Sequence, residues 1–215
     1  MNRRYLRNED IIHQEKLIDD IDIIGAGGIG SFLLLLLSKM GFKRIHIWDN
    51  DEVEEWNLST GLFYNNKTEE KKVNHLKQLA KDFGDTEKLV ANAAMWTDKY
   101  DLHNRVFVCP DNMEVRKEAF EKWTKNPNRE FFIDGRMGAL GMQCVSIVKG
   151  KEDFYWKTWC PSTEVPDEPC TMKHTIFTAS IISGIMANQA FAIIENKYYE
   201  PNIMLNLANM FLVKR

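Results

Sequence analysis

Gly25, Gly27 and Gly30 lie in the run IGAGGIG and form the pattern G-x-G-x-x-G directly after a short apolar segment. Each glycine has its own use. The first closes a tight turn, the second lets phosphate groups approach the backbone, and the third lets the following helix pack closely on the preceding strand. Gly28 continues the same turn, and the free N–H groups at the start of a helix there attract an anion. Asp49 follows the next apolar segment, where a carboxylate can hold ribose hydroxyls. Together these residues imply binding of an adenine nucleotide. They do not separate a hydride-carrying dinucleotide from ATP.

Further constellations surround this one. Asp49 opens a stretch that continues through Asp51, Val53, Glu54, Asn57 and Leu58. Asp51 reads equally well as a nucleotide contact and as an organiser of the turn. CPDNMEVR places Asp111, Asn112 and Arg116 just after an apolar strand, so Asp111 faces the ligand end of a sheet. There it can hold a divalent cation, cap the next helix, or do both. EEKK puts Lys71 and Lys72 at a helix start, which on its own reads as a solvated surface. EPCTMKHT holds Cys170 just before a long apolar helix, with Lys173 and His174 beside it. Such neighbours favour thiolate, although a lone loop cysteine is more often inert. Cys160 reads as structural, and Cys109 and Cys144, within predicted strands, as core. His13, His46, His75 and His103 show no common site in the sequence.

Strands and helices alternate along the chain. Strands are predicted over 21–24, 44–48, 89–93, 105–109, 131–133 and 142–148, with one or two more over 203–213. Helices are predicted over 28–40, with Gly41 as C-cap, over 68–83 with Thr68 as N-cap, over 113–125 and over 175–195. This alternation predicts an α/β fold, a mostly parallel sheet with helices on both faces and an antiparallel C-terminal extension. Residues 159–169, rich in proline and acid, read as a crossover loop over the ligand site.

The chain has 215 residues and a net charge of −3, which gives no basic surface for nucleic acid. No repeat or linker-like shift divides it, so 1–215 reads as one domain. The start, MNRRYLRNED, has no apolar core of a signal peptide, and a cytoplasmic protein with reduced thiols is expected. The segment 174–194 is long enough to span a membrane, but its polar residues favour a buried core helix. No C-x-x-C pair is present, so zinc is not expected.

Taken together, these motifs resemble the ThiF/MoeB/HesA-type adenylyltransferases, relatives of ubiquitin-activating enzymes. Their pattern runs R-Y-x-R-Q, G-x-G-G-[IL]-G-S, D-x-D-x-V-x-x-S-N-L-x-R-Q, G-K-x-K, D-x-x-D-N-x-x-x-R. The matching residues span Arg4 to Glu195. The resemblance implies a Rossmann-like fold and ATP-dependent adenylation of the C-terminal carboxylate of a ubiquitin-like, sulfur-carrier or peptide substrate. It assigns Asp111 to Mg²⁺, Lys72 and Asn57 to the nucleotide's phosphates, and Arg7 to the phosphates of a partner subunit, hence a homodimer. Cys170 matches the C-T-[IL]-[KR] motif, which implies a thioester step. One departure stands out. The family's arginine in N-L-x-R-Q falls at Thr60 and its glutamine at Gly61, with Lys67 or Lys71 as possible substitutes for the lost charge. Two other readings remain: a non-catalytic member of the family that binds a partner, favoured by Thr60, and an NAD-dependent oxidoreductase. The latter accounts for the glycines and Asp49 but not for Asn57, Asp111 or the N-terminal arginines.

Overall fold

The computed structural model describes residues 3–164 and 175–214. Their strands form one eight-stranded sheet in the order β3-β2-β1-β4-β5-β6-β7-β8. The strands are β1 (Asp20–Ile24), β2 (Arg44–Trp48), β3 (Lys88–Asn92), β4 (Arg105–Val108), β5 (Phe131–Gly138), β6 (Gly141–Val148), β7 (Asn202–Asn206) and β8 (Phe211–Lys214). The first five run parallel. From β5 onward every pairing is antiparallel, which is the expected C-terminal extension. From β1 the chain moves outward through β2 to β3, then returns to the other side of β1 as β4. The sheet therefore opens a crevice at the carboxyl ends of β1 and β4, where open α/β sheets bind ligands.

Helices cover both faces. On one, α1 (Gly28–Met40), α2 (Lys72–Phe83) and α5 (Ile176–Ile194) bury Ile21, Ile23, Ile45 and Ile47. On the other, α3 (Met113–Thr124) and the short α4 (Asp153–Trp156) cover Ile24, Trp48, Val106 and Val108. Alternation along β1 and β2 assigns the two sets to opposite faces. α1 ends at Gly41, whose φ of 109° is the left-handed C-cap conformation. α5 is apolar and long enough to cross a membrane, and half of it is buried within the protein, packed on α1 and β5.

Two elements differ from expectation. α2 begins at Lys72, not at Thr68. The preceding residues pair with the loop after β2: Val53 N–H donates to Glu70 O and Glu69 N–H to Val53 O, both at 2.8 Å. Glu70 O is thereby taken from a helical N–H four residues on, and Glu69, with φ 71°, is outside the right-handed helical region, so no helix runs through them. β5 runs five residues past Ile133, because its partner β6 continues the ladder to Gly138 and Gly141.

Candidate active site

A cleft of about 1310 Å³ lies in the crevice beyond β1 and β4. Its floor is the glycine turn, and three glycines there are required for different reasons. Gly25 has φ +97°, and a Cβ on it would meet Pro110 N at 2.8 Å, so the turn lies directly on the loop after β4. A Cβ on Gly30 would sit 2.0 Å from Gly25 O, so α1 packs on the turn with no room for a side chain. At Gly27, the N-cap of α1, a Cβ meets nothing within 4 Å. That space faces the first N–H groups of α1, which have no partner inside the helix. It is an open cradle for an anion, and phosphate fits it. Gly28 borders the same space beneath Met137 and Thr60 O.

Asp49 lines the cleft and also holds the turn in shape. Its Oδ2 accepts from Ala26 N–H and its Oδ1 from Asp51 N–H, both at 2.8 Å. Burial pushes its carboxyl above the ordinary value, against the pull of those two N–H groups and of Lys72. Lys72 opens α2, and its Nζ lies 2.8 Å from Asp51 Oδ2, so an ammonium sits at the cleft edge. Asp51 thus serves both the turn and that lysine. Lys71 faces elsewhere, with its Nζ on Asn50 O and Glu52 Oε1. Lys67 pairs with Glu70. Neither lysine lines the cleft, so neither replaces the charge missing at Thr60. Thr60 and Asn57 both line it, Asn57 from a capped 3-10 turn where its Oδ1 accepts Glu54 N–H at 3.0 Å.

Asp111 stands exposed on the opposite wall. It does not cap α3. Asn112 does, accepting Glu114 N–H at 2.8 Å and Val115 N–H at 3.0 Å. The Asp111 carboxylate is left to the cleft, where a hard oxygen ligand fits Mg²⁺ held largely by phosphate and water.

Behind this wall is a buried charge network that the sequence reading found only in part. Arg116 bonds Asp134 Oδ1, Gly135 O and Pro110 O, tying the Asp111 loop to β5. Arg136 lines the cleft and clasps Asp134 Oδ2 through Nε at 2.9 Å and Nη2 at 2.6 Å. Its Nη1 reaches Thr158 O at 2.5 Å, and Tyr155 OH completes the shell of Asp134 at 3.0 Å. Burial alone would raise the Asp134 carboxyl, but the guanidiniums of Arg116 and Arg136 outweigh it and hold the pKa down. The signal for Arg136 was present: FFIDGR puts opposite charges two residues apart on one face of an apolar strand.

The cysteines separate by place. Cys109 and Cys144 are buried, and burial pushes both thiols up to about 12. Cys160, read from the sequence as structural, lines the cleft. Neighbouring Thr158, Ser162, Thr163 and Glu164 line it too, so the described part of the expected crossover loop lies at the site. Cys170 lies outside the described residues. Arg7 is exposed and absent from the cleft wall. Its segment is anchored where Tyr5 OH meets Asp85 and Arg4 meets Gly84 O, near the amino ends of β2 and β3.

The ThiF family model matches residues 10–214. The SUMO-activating enzyme subunit uba-2 of Caenorhabditis elegans is 27% identical over 170 residues, which are 76% of this chain and 29% of that protein. The chain therefore spans less than a third of that relative. Among solved structures, Escherichia coli MccB with succinimide superposes at TM-score 0.81 and 17% identity, covering 100% of this chain and 72% of that one. MccB with ATP gives 0.76 at 14% identity, covering 100% and 71%. PaaA gives 0.77 at 16% identity, covering 99% and 72%. At these identities the likeness is one of fold.

Proposed function

We propose, from the premise that this chain belongs to the ThiF family, that it adenylates the C-terminal carboxylate of a ubiquitin-like protein, a sulfur carrier or a peptide. The observation that carries this reading is the open cradle at Gly27, set in one cleft with Lys72 and Asp111. A carboxylate oxygen of the substrate attacks the α-phosphorus of ATP. The bond to the bridging oxygen breaks, giving acyl-adenylate and pyrophosphate. The nucleophile is already an anion, so no proton is removed and no general base is needed. The barrier is charge repulsion, which positioning and cationic groups lower.

The glycine turn and the α1 N–H groups bind the phosphates. Lys72 neutralises them, with Asp51 fixing its direction. Asn57 orients the chain of phosphates, and Asp49 lies beside the turn for the ribose. Asp111 holds Mg²⁺, which when bound supplies charge neutralisation across the phosphates. Arg7 acts on the cleft of a second copy, and its anchorage at the other end of the sheet supports a homodimer. Cys170 then attacks the acyl-adenylate carbonyl as thiolate, and AMP leaves with the bonding pair of the anhydride oxygen that joined it to the acyl group. The protein works in the cytoplasm.

ATP–pyrophosphate exchange tests the reading, using small β-grasp proteins ending in Gly-Gly and short peptides as substrates. Exchange in wild type and in Cys170→Ala establishes adenylation and leaves the cysteine to the next step. ATP binding without exchange for any substrate favours the second reading, a partner-binding protein. Thr60 at the cleft wall, where the family carries arginine, is the observation behind that alternative.

A further inference from the structure

Two histidines that show no common site in the sequence meet in the fold. β1 and β2 pair Asp20 with Arg44 and Asp22 with His46. On this face the carboxyl half of the two strands is apolar, with Ile24 and Trp48 in the core beneath α3. The amino half instead carries Asp20, Asp22 and His46. His103, just before β4, is laid against them, its ring centroid 4.4 Å from that of His46. Ligand atoms of Asp20, His46 and His103 all lie within 4.8 Å of one another. His46 Nε2 is 2.9 Å from Asp20 Oδ1.

A second observation concerns Asp22, whose side chain is 1% exposed. Its Oδ2 holds both the His103 backbone N–H, at 2.7 Å, and His103 Nδ1, at 2.9 Å. Trp48 Nε1 donates to its other oxygen at 3.3 Å. A buried carboxylate on one imidazole nitrogen fixes the ring and its tautomer, and leaves Nε2 as a lone-pair donor. Metal-binding histidines are held in this way.

We propose that Asp20, His46 and His103 bind a divalent first-row transition metal, zinc foremost, with Asp22 as the carboxylate that orients His103. Two imidazoles and one carboxylate suit Zn²⁺ rather than Mg²⁺, and water completes a tetrahedron. All three ligands are partly exposed, so the ion has a way in. Two cations oppose it: Arg44, 3.5 Å from Asp20 Oδ2, and Lys88, whose charge acts on His103. Asp20 meets Arg44 through one oxygen and His46 through the other, so a metal that displaces the His46 contact leaves the Arg44 contact in place. The site is separate from the nucleotide cleft, which none of the three ligands lines. It does not depend on the adenylation reading. It also differs from the cysteine site whose absence led to the expectation of no zinc. Its effect is to clamp the loop before β4 onto β1 and β2.

The test uses the full chain, stripped with chelator and titrated with Zn²⁺ by calorimetry and with Co²⁺ by visible absorption. One equivalent is expected, with a tetrahedral Co²⁺ spectrum and without the intense near-ultraviolet bands of thiolate ligation. His46→Gln and His103→Gln should each weaken binding at least 100-fold, and Asp22→Asn about 10- to 100-fold. Far-UV circular dichroism checks the fold of each. No binding to wild type, a thiolate Co²⁺ spectrum, or equal affinity in a folded His46→Gln would overturn the proposal and leave two plain His–Asp ion pairs. The wild-type spectrum decides even if a variant fails to fold.

Discussion

Gly27 and Gly30 are three residues apart in one turn, yet replacing each with alanine should have opposite consequences. At Gly30 the new Cβ would lie 2.0 Å from Gly25 O and 2.9 Å from Gly25 C. Both are backbone atoms of the turn that fixes the cleft, so relief requires α1 to move off β1. Overpacking of this kind costs about 3 kcal/mol. For a chain of 215 residues, that is a fall in Tm of roughly 6–12 °C. At Gly27 the Cβ meets nothing. Alanine is a poorer N-cap than glycine by a few tenths to about 1 kcal/mol, and the stiffer unfolded chain returns a similar amount. Gly27→Ala should therefore melt within about 2 °C of wild type. The methyl group does, however, fill the space assigned to phosphate, so ATP affinity should fall at least tenfold, about 1.4 kcal/mol. Thermal melts and calorimetric titration with Mg-ATP separate the two effects. Wild-type ATP affinity in Gly27→Ala would refute the placement of phosphate at this turn, and an unshifted melt for Gly30→Ala would refute the packing argument.

Other outcomes follow from the same geometry. Asp111→Asn should lower Mg-dependent ATP–pyrophosphate exchange at least 100-fold with an unchanged melt, since the side chain is exposed and caps nothing. Arg116→Leu should cost about 3–5 kcal/mol by denaturant unfolding, because Asp134 loses a partner while staying buried. Glu195 fastens the N-terminal segment through Lys16 Nζ at 2.6 Å and His13 N–H at 3.0 Å. Burial would raise its pKa, but these donors hold it down at about 2. A depressed carboxyl stabilises the fold above its unfolded value, near 4.3, and the gain is lost as pH falls toward 2. The stability gap between wild type and Glu195→Gln should shrink over that interval. His103 is shifted the other way. The hydrogen bond to Asp22 raises it against burial, with Asp20 adding and Lys88 opposing. In metal-free protein its contribution is complete below about pH 6.5 and fades as pH rises through the raised value. The gap to His103→Gln should therefore narrow as pH rises above about 6.5.

The glycine turn, α1 and the first two strands were legible because each is a local pattern: apolar runs, a glycine at each constrained point and a C-cap at Gly41. Lys72, Asn57, Asp49 and Asp111 were legible as a set through the family resemblance, and the fold does gather them around one cleft. What stayed hidden depends on pairing between distant segments. The start of α2 is delayed by hydrogen bonds to Val53, which no window around Thr68 contains. β5 hides its second half because Asp134, Gly135 and Arg136 break an apolar pattern for the sake of a buried ion network. His46 and His103 are 57 positions apart, and only the parallel register of β1 with its two neighbours brings them together. The position of Cys160 at the cleft stayed hidden because nothing local sets its loop there.

Asp134 has a consequence for how this cleft can change. One of its oxygens is tied through Arg116 to Pro110, beside Asp111; the other is tied through Arg136 to Thr158, at the foot of the loop on the far side. Both jambs of the doorway hang from a single pin. A substitution at Asp134 should therefore disturb both jambs at once. Reshaping the opening is then easier through side chains that line it, such as Met137 or Met204, than through the frame itself.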